Sequence, residues 1–122
     1  PELWNQKMKE YLDIVPTNDA EGILQDMHWS DGSFGYFPSY LLGSIYDGMY
    51  LEELEKELGP VDEILKEGKI SEITKWLNEK IHWYGSTRTP KEVIANVCGK
   101  EVSAEPLVRY FERKYANVYD LK

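Results

Sequence analysis

Residues 39–58 read SYLLGSIYDGMYLEELEKEL, and their period decides the fold class. Large apolar side chains fall at Tyr40, Leu41 and Leu42, at Ile45 and Tyr46, at Met49 and Tyr50, and at Leu54 and Leu58. Steps of three and four place them on one face of an α-helix, where a strand would alternate. Pro38 suits the first turn and Gly59-Pro60 the end. Gly43 and Gly48 each cost such a helix about 1 kcal/mol relative to Ala, so the pattern assigns them to close helix contact, with Gly43-Ser44 as a small face. Glu52 and Lys56 are spaced for an i,i+4 ion pair.

Working outward, the same period recurs. Residues 1–12 form a helix with Leu3, Trp4, Met8, Tyr11 and Leu12 in step, and Pro16 stops the chain that follows. Asn18 or Asp19 caps a helical turn running to Leu24. Residues 61–67 give a short helix. A longer one runs from Ile70 or Ser71 to about Trp83, with Ile73, Trp76, Leu77 and Ile81 as its stripe. Residues 85–89 read as a loop. Thr89, Pro90 and Glu92 then make a capping box, and Gly99 ends the helix they start. Ser103 caps a last helix in which Leu107, Tyr110, Phe111 and Tyr115 face inward and Arg109, Arg113 and Lys114 outward. No stretch alternates with period two. The expectation is an all-α chain forming one domain over residues 1–122.

Composition narrows the function. The 122 residues carry 22 acidic and 14 basic side chains, a formal charge of -8. Such a chain is repelled by phosphate backbones, which argues against nucleic-acid binding. No apolar run suffices to cross a bilayer, so no membrane role is expected. The single cysteine, Cys98, cannot form an intramolecular disulfide and fits a reducing, cytoplasmic compartment.

Residues 22–43, GILQDMHWSDGSFGYFPSYLLG, concentrate the chemistry. Trp29, Phe34, Tyr36, Phe37 and Tyr40 crowd around Gln25, Asp26 and His28. Apolar bulk with a few fixed polar groups suits the wall of a ligand pocket. Residues 25–37 read as irregular, since Ser30-Asp31-Gly32-Ser33 is turn chemistry. Asp26 stands two residues from His28 and is placed to orient the ring or to pair with a basic group. A cation held by Asp26, His28 and Asp31 has little support: no Cys and no second His join them. The chain's other histidine, His82, has no partner four residues away, so no metal ligand is assigned. Cys98 has no adjacent His, and a buried structural thiol is its default.

Gly22, Gln25, Asp26, His28 and Trp29 fit the signature GxxQDxHW, followed by Phe34-Gly35-Tyr36-Phe37-Pro38-Ser39-Tyr40. In these motifs the chain resembles the carboxypeptidase Taq family of metal-dependent carboxypeptidases. Pro1-Glu2-Leu3-Trp4-Asn5 and the run from Leu107 to Tyr115 resemble that family's C-terminal part. The resemblance implies a piece of an enzyme that releases C-terminal amino acids from peptides, with zinc or cobalt as its metal. It implies substrate contact for Gln25, Asp26, His28 and Trp29, and a place near the active site for Tyr36 or Tyr40. The family's metal site, a helical HExxH with a further Glu, is missing from this chain, as is the IRxxAD segment whose arginine recognises the substrate carboxylate. Arg88 is a weak local substitute. The chain should therefore be inactive alone. The implied partners are the C-terminus of a peptide, the rest of the peptidase and a second copy in a homodimer. The competing function is a non-catalytic helical module for peptide binding or oligomerisation.

Overall fold

The structure, a computed structural model, describes residues 1–121. Seven α-helices follow one another among the described residues: α1 Glu2–Leu12, α2 His28–Asp31, α3 Phe37–Leu58, α4 Val61–Lys66, α5 Ile70–Lys80, α6 Pro90–Cys98 and α7 Glu105–Tyr119. A 3-10 turn lies at Ile23–Gln25, and His82–Thr87 is 3-10 helix broken by a kink at Gly85 (φ 50°, ψ -132°). No strand occurs among the described residues, as the helical periods required. The chain forms two compact units, Pro1–Pro38 and the part from Ser39 onward, so the boundary falls in the first turn of α3.

In the first unit, α1 ends where Asp13 adopts a left-handed conformation and its N–H returns to the Lys9 carbonyl. The chain then doubles back so tightly that Gly22 is buried. A Cβ there would lie 3.1 Å from the Pro16 side chain and 3.3 Å from the Asn18 carbonyl. That explains the glycine opening the motif by space alone. No residue of α1 is fully buried, and Leu3, Tyr11, Leu12, Leu24, Met27 and Phe34 are all exposed.

The second unit is built on α3. Its core consists of Met49 and Leu54 from α3, Ile64 from α4, Trp76 from α5, and Val93 and Ile94 from α6. The Trp76 indole N–H donates to the Glu57 carboxylate at 3.0 Å, which also takes Lys80 at 2.9 Å, so α5 is pinned to α3 by polar as well as apolar contact. The capping box at Thr89 and Glu92 is present, with Pro90 in the first turn, and Gly99 closes α6 in the left-handed conformation.

Several local expectations change. Lys56 pairs with Glu53 at 2.7 Å, while Glu52 turns to Lys100 at 2.6 Å and Arg109 at 2.8 Å. These partners lie far along the chain, and an i,i+4 rule cannot see them. Of the two glycines in α3, Gly48 makes the close contact; the space beside Gly43 holds nothing within 4 Å. α5 stops at Lys80, and the residues expected to continue it wind as 3-10 helix up to a kink at Gly85, while Arg88 and Thr89 of the expected loop are extended. The face of α7 changes in part: Leu107, set against Gly48, and Tyr110 are half-buried as expected. Pro106 is its buried residue, Phe111 and Tyr115 are exposed, and Arg113 joins Arg109 in reaching back to α3, through Glu55 at 3.3 Å. Ser103 accepts from the Glu105 N–H, one residue before the formal cap.

Candidate functional site

The site is built inside the first unit by two tight turns. A 3-10 turn over Ile23–Gln25 delivers Asp26 in an extended conformation, and α2 begins two residues later. The Asp26 Oδ1 atom accepts the backbone N–H of His28 at 3.0 Å and faces His28 Nδ1 at 2.8 Å. This oxygen thus both starts the turn and holds the ring. Only 6% of the Asp26 side chain is exposed. Desolvation pushes its carboxyl upward, but hydrogen bonds from the His28 side chain and backbone, helped by the Trp29 side chain, hold it below the usual carboxylate range. It is an anion with a largely covered side chain and its partner in place.

Aromatic rings fix the other faces of His28. Tyr36 stacks on it at 5.5 Å with an interplanar angle of 23°, and Phe37 meets it edge-on at 4.8 Å and 75°. The chain reaches these positions because Gly32 is left-handed (φ 82°) and closes α2, allowing the Ser33 N–H to return to the His28 carbonyl. Asp31 caps this turn: its Oδ1 accepts from the Ser33 N–H at 2.9 Å, and the Ser33 hydrogen bonds hold its carboxyl low. The segment expected to be irregular is therefore one ordered turn of helix between two tight bends.

The residues singled out from sequence divide into groups. Asp26, His28 and Tyr36 come together. Trp29 touches the cluster through its side-chain hydrogen bond to Asp26, while its ring packs edge-on against Trp4 at 6.3 Å and tilted by 48° against Phe34 at 6.0 Å. Gln25 folds back and donates to the Ala20 carbonyl. Tyr40 belongs to the second unit, exposed on α3. Phe37 and Trp4 are contributors that sequence did not single out individually. Phe37 carried a signal, sitting three residues after Phe34 in the same aromatic run. Trp4 carried only its place in a helical stripe and in the lead-in Pro1-Glu2-Leu3-Trp4-Asn5.

The donor set does not fit a catalytic zinc ion. Such a site needs three or four convergent ligands, and no group of three His, Cys, Asp or Glu side chains among the described residues could hold one. Asp31 is turned to Ser33, and His82 Nδ1 lies 2.8 Å from the Asn78 side-chain oxygen. Cys98 is half-buried, and burial pushes its thiol up, away from the thiolate.

Known proteins place this arrangement. The carboxypeptidase Taq (M32) metallopeptidase family matches residues 1–115. The chain belongs to that family. Among M32 relatives, carboxypeptidase 1 of Bacillus subtilis is 44% identical over 119 residues, which make up 98% of this chain and 24% of that protein. Thermostable carboxypeptidase 1 of Thermus thermophilus is 37% identical over 98% of this chain and 23% of its own length. The solved structure of metallocarboxypeptidase 1 from Trypanosoma cruzi superposes with a TM-score of 0.88 at 41% identity, covering 94% of this chain and 24% of that one. The chain thus spans about a quarter of the length of the M32 relatives it matches. The all-α architecture is shared with these structures. No helix among the described residues is long and apolar enough to cross a membrane.

Proposed function

We propose that this chain is the C-terminal part of a metal-dependent carboxypeptidase that releases C-terminal amino acids from peptides, and that residues 22–43 supply part of its substrate groove. The family match along nearly the whole chain carries the reading. The Asp26–His28–Tyr36–Phe37 cluster supports the groove assignment, because it is an ordered polar group walled by rings and formed wholly from the motif segment. In this reading His28 contacts the peptide, Gln25, Asp26 and Trp29 shape that contact, and Tyr36 or Tyr40 stands near the reacting carbonyl. The zinc or cobalt ligands and the arginine that anchors the substrate carboxylate lie upstream of this chain. The rest of the peptidase covers the exposed apolar side chains of the first unit, such as Met27 at 76% exposure. A homodimer in the cytoplasm is the expected state.

The test is an assay of the full-length protein on short peptides with and without a chelator, beside the present chain supplied with zinc or cobalt. Chelator-sensitive release of C-terminal residues by the full-length protein, and none by this chain, is expected. A folded, metal-loaded full-length protein that leaves peptides intact refutes the reading. Metal-dependent turnover by the chain alone refutes the upstream placement of the ligands.

A further inference from the structure

We infer that Asp26 is a positioning residue for His28: it holds the proton of the imidazole on Nδ1, and so makes Nε2 the nitrogen through which His28 accepts from the peptide. The inference rests on the groove reading above. Three observations carry it. One carboxylate oxygen lies 2.8 Å from Nδ1, and an ionised carboxylate only accepts, so the nitrogen facing it must carry the proton. The same oxygen takes the His28 backbone N–H at 3.0 Å, which keeps it from swinging away from the ring. Tyr36 stacked on one side and Phe37 edge-on restrict rotation of the ring out of this contact.

A simple turn-capping role for Asp26 does not account for the arrangement. Asp31, five residues on, caps its turn through the Ser33 N–H with its side chain exposed. Asp26 does the same for His28, yet its side chain is nine-tenths buried and also meets the His28 ring nitrogen and the Trp29 side chain. Burying a carboxylate is costly unless it is paired. For a cap alone, exposure in the manner of Asp31 would suffice. Holding the tautomer and orientation of a working histidine from behind is the role a carboxylate takes in hydrolytic triads and behind metal-bound imidazoles.

The experiment uses the full-length peptidase with ring-15N histidine, its His28 signals assigned by their loss in His28→Gln. Above the titration of the ring, wild type should show a protonated Nδ1 and a bare Nε2. Asp26→Ala should move the proton to Nε2, the tautomer an unassisted imidazole prefers, and lower kcat/KM by roughly 10–100-fold. Asp26→Asn keeps the shape and one accepting oxygen. It should retain the Nδ1–H form and lose less activity, and it keeps the test open if Asp26→Ala does not fold. A wild-type His28 with its proton on Nε2 overturns the inference, as does an Asp26→Ala that loses thermal stability with tautomer and kcat/KM unchanged. If His28→Gln leaves kcat/KM intact while Nδ1–H persists in wild type, the groove reading has failed and the inference falls with it, although Asp26 still holds the ring.

Discussion

A Cβ built on Gly48 of α3 would stand 2.8 Å from the backbone nitrogen of Leu107 in α7 and 2.9 Å from its Cα. Real Cβ atoms do not approach backbone so closely, and α7 would have to retreat. Gly48→Ala should destabilise the chain by about 1–3 kcal/mol, as overpacking does. Gly43→Ala meets nothing within 4 Å and removes a helical glycine, so it should stabilise by about 0.5–1 kcal/mol. Urea unfolding of the two variants checks the opposite signs. Equal shifts would mean that the contact at Leu107 is unimportant.

Thr89 carries the one capping box in the described residues. Its hydroxyl accepts the Glu92 N–H, and the Glu92 carboxylate returns to the Thr89 N–H at 2.7 Å. Thr89→Ala should cost about 1 kcal/mol, and Thr89→Ser much less. The measurement is the melting temperature of each variant against wild type.

Glu52 is the hub that ties α3 to Lys100 and to α7 through Arg109. Arg109 is half exposed, so water screens the pair. A double-mutant cycle on Glu52→Ala and Arg109→Ala should give a coupling of about 0.3–1 kcal/mol, shrinking in molar salt. A coupling that ignores salt would place the pair in a drier setting than its exposure indicates.

Acid should weaken the fold. Asp26 is held low by His28 despite desolvation, Glu52 by Lys100, Glu57 by Lys80 and Glu92 by Thr89. Each binds its proton more weakly when folded than when unfolded, so the unfolded chain takes up protons first. Their stabilisation is complete above the ordinary carboxylate range near pH 4 and is lost as pH falls through and below it. Unfolding free energies from pH 7 to pH 3 should stay level and then decline. A rise on acidification would reverse the assigned directions.

In the full-length protein, His28→Ala should act on turnover more than on folding. Removing the ring leaves the peptide N–H it would accept without a partner, worth about 1–3 kcal/mol, or roughly 5–150-fold in kcat/KM. Peptide kinetics and a melting curve on the same sample decide. A large fall in melting temperature at unchanged kcat/KM would make His28 a packing residue.

Helices, caps and stops were legible in the sequence because they depend on neighbours three or four residues away. The turn at Thr89-Pro90 and the ends at Gly59 and Gly99 follow from local rules and appear where expected. What sequence could not supply was the partner across space. Glu52 reaches 48 and 57 residues along the chain to Lys100 and Arg109, whereas its spacing pointed to Lys56. The face of α7 was legible only in part for the same reason: Leu107, expected inward, does meet α3 at Gly48, but Phe111 and Tyr115, expected beside it, are exposed and Pro106 is buried instead. At the candidate site, the pairing of Asp26 with His28 was readable from their spacing. The return of Gln25 to Ala20 was not, because nothing in the motif distinguishes a side chain facing a pocket from one folded onto its own turn.

The shared oxygen of Asp26 has a practical consequence. Because one atom receives both a main-chain and a ring N–H of His28, a swing of the Asp26 carboxylate frees the start of α2 and the imidazole together. Deuterium uptake at a single amide, the His28 N–H, therefore reports how often Asp26 leaves its place behind the ring. Any ligand that steadies the histidine should slow exchange at that amide even without touching the backbone.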